Sequence, residues 1–128
     1  MSLKKILITG SNGQLGHSLN LFFKNKSFLI LNTSLSVGRY ATNGYDLSIE
    51  ENVFCLINEF SPDFIINCAG YTNVDLCERN KKQAYNANVM IVKNLLKNIP
   101  KKSKLIHIST DYIFDGINGS YDEESTPN

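Results

Sequence analysis

Between Lys4 and Gly16 the chain reads Lys-Lys-Ile-Leu-Ile-Thr-Gly-Ser-Asn-Gly-Gln-Leu-Gly, and no other stretch constrains the fold as tightly. Ile6, Leu7 and Ile8 form a continuous apolar run, the pattern of a strand covered on both faces. Gly10, Gly13 and Gly16 follow at a spacing of three residues. Leu15, Leu19, Phe22 and Phe23 then recur at helical spacing, which predicts a helix over about Gln14 to Asn25. Strand, glycine turn and helix in that order make the first half of a βαβ unit. In such a unit Gly10 serves the tight turn, Gly13 lets a pyrophosphate reach the main chain, and Gly16 lets helix and strand pack closely. The N–H groups that open the helix then face the phosphates, with the helix dipole favouring their charge. A strand-to-helix turn with no ligand uses the same residues, but the clean strand before it and helix after it favour nucleotide binding.

The rest of the chain repeats this alternation. Ser27–Asn32 is a second apolar run of strand length. The polar stretch from Thr33 to Tyr45 carries Gly38 and Gly44 as breakers and leads to a possible short third strand near Tyr45-Asp46-Leu47. Ser48-Ile49-Glu50-Glu51 has the form of a capping box, with Ser48 as N-cap, opening a helix whose Val53, Leu56, Ile57 and Phe60 share one face and which Ser61-Pro62 ends. Asp63–Ala69 is the next buried strand. After a loop from Tyr71, one long helix is expected from about Cys77 to Ile99, with Val89, Val92, Leu95, Leu96 and Ile99 as its apolar stripe. Leu105–Ser109 is the last strand, and Thr110 to Asn128 is polar and turn-rich. Alternating strands and helices with short connections predict an α/β fold: a Rossmann-like, doubly wound parallel sheet in three αβα layers, strand order 3-2-1-4-5.

Composition narrows the function. The chain has 128 residues, enough for one domain, with 42% hydrophobic and 20% charged residues, as in a globular protein. A net charge of +1 gives no pull toward nucleic acid or a membrane surface. No apolar run is long enough to span a bilayer or to serve as a signal peptide. Cys55, Cys68 and Cys77 are odd in number and lack C-x-x-C spacing, which argues against disulfides and zinc and for a reducing cytoplasm, all three being read as buried or half-buried thiols. His17 and His107 lack ligand spacing, so no metal site is expected.

Ligands of a doubly wound sheet bind past the carboxyl ends of its strands, and four groups of residues fall there. The glycine turn is the first. At the end of the second strand, where a carboxylate would hold a ribose 2′-hydroxyl, the chain has Asn32, with Ser34, Ser36 and Arg39 nearby to accept a 2′-phosphate; NADP(H) is slightly favoured over NAD(H), although Arg39 reads equally as an ordinary loop residue. Asn67-Cys68-Ala69-Gly70-Tyr71-Thr72 puts small residues at a strand end, which suits a flat cofactor or close helix packing. Ser109-Thr110-Asp111-Tyr112 puts a hydroxyl into the crevice, either for a substrate oxygen or as an N-cap.

Three of these segments together resemble one family: Thr9–Gly16, Asn67–Asp75 (Asn-Cys-Ala-Gly-Tyr-Thr-Asn-Val-Asp) and Ser109–Gly116 (Ser-Thr-Asp-Tyr-Ile-Phe-Asp-Gly). In order and spacing they are similar to the dTDP-4-dehydrorhamnose reductases, extended short-chain dehydrogenase/reductases of nucleotide-sugar synthesis. The resemblance implies reduction of the 4-keto group of dTDP-6-deoxy-L-lyxo-4-hexulose by NADPH or NADH, giving dTDP-L-rhamnose. It implies that Gly13, Gln14 and Leu15 contact the cofactor diphosphate, with Gly10, Asn12 and Gly16 completing the turn. Asp46 and Leu47 would flank the adenine, and Gly70, Tyr71 and Thr72, beside Ala69, the nicotinamide. Thr110 matches the hydroxyl member of the catalytic triad, Asp111 its substrate-contacting neighbour, and Asn88 the helix asparagine near the site. Asn32 departs from the acidic residue often found at its position and leaves the cofactor preference open.

A second departure is larger. The family's Y-x-x-x-K pair follows shortly after a segment resembling Ser125-Thr126-Pro127-Asn128, whereas Tyr85, Tyr112 and Tyr121 have Val89, Gly116 and Ser125 four residues later. In the family the tyrosine hydroxyl gives the proton to the keto oxygen, and the lysine lowers its pKa. The chain is therefore expected to be an amino-terminal, dinucleotide-binding half (1–128), cut before that helix and the substrate domain and inactive alone. The resemblance implies a nucleotide-sugar substrate and leaves a homodimer open. Competing expectations are a non-catalytic member like the methionine adenosyltransferase regulatory subunit, another nucleotide-sugar reductase or epimerase, and a flavodoxin-like binding domain.

Overall fold

The computed structural model describes residues 2–42 and 44–127; Asn128, which ends the Ser125–Asn128 segment noted above, lies outside them. Four parallel strands form one sheet: β1 (Lys4–Thr9), β2 (Phe28–Thr33), β3 (Phe64–Asn67) and β4 (Lys104–His107), in the order β2-β1-β3-β4. The continuous apolar runs pack on both sides. Ile6, Ile8 and Ile66 face helix α1 (Gln14–Phe23) through Leu19 and Phe23. Leu7 and Ile65 face helix α2 (Glu50–Phe60), through Val53, Leu56 and Ile57, together with Ile91 and Leu95 from further along the chain. The result is the expected Rossmann-like α/β fold in three layers.

Four expectations need correction. The third strand near Tyr45-Asp46-Leu47 does not form among the described residues. One bridge, Ser34 to Gly44, begins it, and then the Asp46 carboxylate accepts from both the N–H and the hydroxyl of Ser48, turning the chain toward α2. In the numbering used for the sequence, the observed order is 2-1-4-5. Secondly, that same hydrogen bond removes Ser48 as the helix cap: α2 is preceded by Ile49 and has no side-chain cap.

Thirdly, the single long helix is three. Helix α3 (Val74–Arg79) is capped by Asn73, whose side chain accepts from Leu76 N–H. Asn80, at φ −122° and ψ 58°, separates it from α4 (Lys81–Tyr85). A π-turn over Asn86–Met90 then leads into α5 (Ile91–Asn98). A π-turn inserts an extra residue into the helical phase, so Ile91 and Leu95 reach the core while Leu96 is 58% exposed. Finally, Cys55 is exposed on α2, while Cys68 and Cys77 are half-buried, and all three are free thiols.

Past β4, a short 3-10 turn over Asp111–Ile113 and an irregular tail follow. Phe114 and Tyr121 stack there at 4.4 Å, and the Tyr121 hydroxyl donates to Asp115 at 2.6 Å. No helix among the described residues is long and apolar enough to cross a membrane.

Candidate functional site

The strand ends and the loops beyond them enclose a cavity of about 380 Å³, within the range of small-molecule sites. Gly10 and Gly13 line it from the first turn, Ser34, Leu35 and Tyr45–Ser48 from the loop after β2, Cys68–Tyr71 from the end of β3, and Gln83, Asn86, Ala87 and Ile91 from the helical stretch before β4.

The first turn is held by its own backbone and by β2. Gly10 adopts φ +61°, and a Cβ there would lie 2.7 Å from the backbone of Cys68 and Ala69. A Cβ on Gly16 would lie 2.5 Å from the Gly10 carbonyl, so α1 can start this close to the strand only with glycine there. Ser11 donates through both its N–H and its hydroxyl to the Thr33 carbonyl, each at 3.1 Å. Helix α1 opens at Gly13 with no side-chain cap, which leaves its first N–H groups as donors for a ligand.

Asparagine amides hold the pocket walls. The Asn12 side chain donates to the Ser36 carbonyl at 3.0 Å and accepts from the N–H groups of Tyr40 and Ala41, clamping the loop after β2 onto the glycine turn. The buried Asn94 donates to the carbonyls of Leu47 and Ser48 at 3.0 and 2.9 Å, fixing the lower part of that wall. Asn88, placed by the π-turn, accepts from Tyr71 N–H at 2.7 Å and donates to the Tyr71 carbonyl at 3.0 Å, fixing the opposite wall. Burial pushes the Cys68 thiol up, so this wall carries a neutral sulfur.

Of the residues singled out from sequence, Gly10, Gly13, Ser34, Asp46, Leu47, Cys68, Ala69, Gly70 and Tyr71 line this one cavity. Gln14, Leu15 and Gly16 form the first turn of α1 beside it, and Asn12 and Asn88 brace its walls. Thr72 is not among the lining residues. Asn32 is turned away: its amide pairs reciprocally with that of Asn20 on α1, at 2.8 and 3.0 Å. Arg39 stacks over Tyr40 and lines a separate surface groove with Lys24 and Lys26. Thr110 and Asp111 also lie outside the lining: the Thr110 hydroxyl donates to Asp111 and accepts from Tyr112 N–H, capping the 3-10 turn. The lining residues not foreseen from sequence are Leu35, Tyr45 and Ser48 in the loop after β2, and Gln83, Asn86, Ala87 and Ile91, for which the only signal is a break in the helical apolar stripe at its N-terminal end. Among the described residues, no cluster of three or more His, Cys, Asp or Glu side chains could hold a metal ion.

The cavity suits a dinucleotide. Gly13 and Gly70 leave space that a side chain would fill, the nearest protein atoms to an added Cβ being the Gly10 carbonyl at 3.2 Å and the Asn88 amide oxygen at 3.4 Å. Uncapped helix donors lie beside that space, and Asp46 and Leu47 offer a polar edge and an apolar face further along.

Known proteins show the same arrangement of chain. The dTDP-4-dehydrorhamnose reductase of Aggregatibacter actinomycetemcomitans is 39% identical over 124 residues, covering 94% of this chain and 40% of the relative. Methionine adenosyltransferase 2 subunit beta of Danio rerio is 36% identical over 125 residues, covering 98% of this chain and 38% of the relative. The chain thus spans about 40% of the length of the curated relatives it matches. The structure of dTDP-4-dehydrorhamnose reductase from Bacillus anthracis in complex with NADP superimposes with a TM-score of 0.87 at 31% identity, covering 99% of this chain and 44% of that one. A family model described as the RmlD substrate binding domain matches residues 4–128, and the chain belongs to that family, as its resemblance to the dTDP-4-dehydrorhamnose reductases implied.

Proposed function

We propose that the cavity at the carboxyl ends of β1 and β3 binds NADP(H) or NAD(H). In this reading the diphosphate sits on Gly13, Gln14 and Leu15 at the start of α1, the adenine against Asp46 and Leu47, and the nicotinamide along Gly70, Tyr71 and Thr72. The observation that carries it is the juxtaposition of an uncapped helix start, reached through a glycine turn, with a side-chain-free wall at Gly70. The Asn20–Asn32 pair leaves no carboxylate to repel a 2′-phosphate, and the NADP complex of the Bacillus anthracis relative supports NADP(H) as the first ligand to try. Titrating the chain with NADPH and NADH tests this. Saturable binding that Gly13→Asp abolishes is expected, and a flat titration with both would refute it.

In the whole protein, the reaction is reduction of the 4-keto group of a dTDP-6-deoxyhexulose to dTDP-L-rhamnose, in the cytoplasm. Thr110 faces the keto oxygen once substrate is bound, and Asp111 contacts the sugar. NAD(P)H, when bound, would supply the hydride for the carbonyl carbon, and a tyrosine hydroxyl assisted by a lysine would supply the proton to the oxygen. None of the six tyrosines of this chain has a lysine four residues later, so the 128-residue chain alone turns over no keto-sugar. Oxidation of NADPH by the purified chain with the keto-sugar, followed by absorbance, would overturn that. A second reading, a non-catalytic subunit that binds a partner enzyme, draws on the 36% identity with methionine adenosyltransferase 2 subunit beta. Dinucleotide binding without turnover in a longer version of the protein would favour it. Turnover of other nucleotide sugars in a substrate panel would instead favour a related reductase or epimerase.

A further inference from the structure

The last residues of three strands form one polar row. Thr9, Asn67 and His107 are register partners across β1, β3 and β4, so their side chains share one face of the sheet at its carboxyl end. The Thr9 hydroxyl donates to the Asn67 amide oxygen and accepts from Ala69 N–H at 3.3 Å. Asn67 Nδ2 lies 3.0 Å from His107 Nδ1. Thr9 and Asn67 have no exposed surface, whereas His107 is exposed.

The direction of every bond in this row is fixed. With Ala69 N–H directed at Thr9 Oγ1, the hydroxyl proton needs its own acceptor, and Asn67 Oδ1 is the acceptor it has. The reverse amide orientation would aim Nδ2 at Thr9 Oγ1 and orphan a buried hydroxyl proton. The Asn67 amide therefore presents its N–H to His107, and Nδ1 must accept, which puts the ring proton on Nε2.

We infer that His107, as its Nε2–H tautomer, is a positioning residue that ends the Thr9–Asn67–His107 row and thereby pins the Ala69–Gly70 wall of the cavity. Ala69 and Gly70 line the cavity, and His107 does not. Its influence runs through Asn67 to Thr9, and from Thr9 to the Ala69 amide. The link to cofactor affinity rests on the dinucleotide reading above, while the tautomer and the pinning of Ala69 stand apart from it.

The test uses the 15N-labelled chain. Long-range proton–nitrogen spectra are expected to show His107 Nδ1 unprotonated and Nε2 protonated; the opposite tautomer overturns the inference. His107→Leu removes the acceptor, and His107→Asn returns one at the place of Nδ1. His107→Leu is expected to speed Ala69 amide exchange and weaken NADPH binding by about 3- to 10-fold, the size of one lost hydrogen bond, with His107→Asn close to the parent. Equal behaviour of the two variants in Ala69 exchange overturns the inference. A parent chain that binds no NADPH refutes the proposed function instead, and the tautomer and the Ala69 exchange rates still decide the role of His107.

Discussion

Replacing Gly10 with alanine tests the join between the glycine turn and β3. At φ +61° an L-residue costs about 1–2 kcal/mol relative to glycine. The added Cβ would also lie 2.7 Å from Ala69 N and from the carbonyl carbon and oxygen of Cys68, all backbone atoms. Relaxed carbon contacts fall at about 3.5–4.0 Å, so turn and strand end must part by on the order of 1 Å. Forcing an extra methyl into such a site costs about 1–3 kcal/mol. The sum, ~2–5 kcal/mol, is a large share of the ~5–15 kcal/mol of a typical domain. Gly119 supplies the control, since it has φ +59° and nothing within 4 Å of an added Cβ, so Gly119→Ala bears the conformational cost alone. Urea unfolding followed by circular dichroism should place Gly10→Ala well below Gly119→Ala. Coincident midpoints would refute the claim that the turn is locked against β3.

Three further outcomes follow from particular side chains. Thr33 has no exposed surface and its hydroxyl has no partner among the described residues, so Thr33→Val should stabilise the chain by about 1 kcal/mol in the same unfolding assay. The Asp63 carboxyl is held below its ordinary value, first by Lys5 N–H at 2.9 Å and then by Lys4 at 3.2 Å. A depressed carboxylate stabilises the fold above its unfolded pKa, and that contribution is lost as pH falls through the folded value; Asp63→Asn should therefore flatten the loss of stability in acid below about pH 4. Asn88→Ala frees Tyr71 and should weaken NADPH binding ~5-fold, with Asn88→Asp weaker still because it adds negative charge beside Gly70. Equal affinities for these two variants in a fluorescence titration would show that charge at that wall is immaterial.

Local pattern carried the layers of this fold, and side-chain commitments decided its exceptions. Ile6–Ile8 and Ile65–Ile66 are apolar on successive residues and do pack on both sheet faces. Ser48 and Glu51 have the right spacing for a capping box, but a carboxylate two residues upstream of Ser48 takes its hydroxyl first, a competition that spacing alone does not reveal. The π-turn at Asn86–Met90 is a tertiary effect: it seats the Asn88 amide on Tyr71 and Asn94 under Leu47 and Ser48, bonds spanning 17 and 46 or 47 residues. At the cavity, glycines and small residues were legible because their job is to leave space. Asn32 was not, since its partner Asn20 sits on the next face over and an amide can serve a ligand or a neighbour equally well.

The use of amides throughout these walls has a physical reason. Asn12, Asn88 and Asn94 each grip backbone groups, and Asn67 joins two strands, with donors and acceptors on one uncharged head. A lysine or aspartate in the same places would hold only carbonyls or only N–H groups, and burying its charge would carry a desolvation cost. Among the described residues lining the cavity Asp46 is the one carboxylate, with no lysine, arginine or histidine beside it, and it accepts from both the N–H and the hydroxyl of Ser48. The attractive part of the field felt by an anionic ligand in this cavity comes from the start of α1, where the partial positive charge of the helix falls within one turn of Gly13. Neutral pins and an uncapped helix start are therefore parts of one electrostatic arrangement: the walls are fixed without competing with the phosphate site for charge.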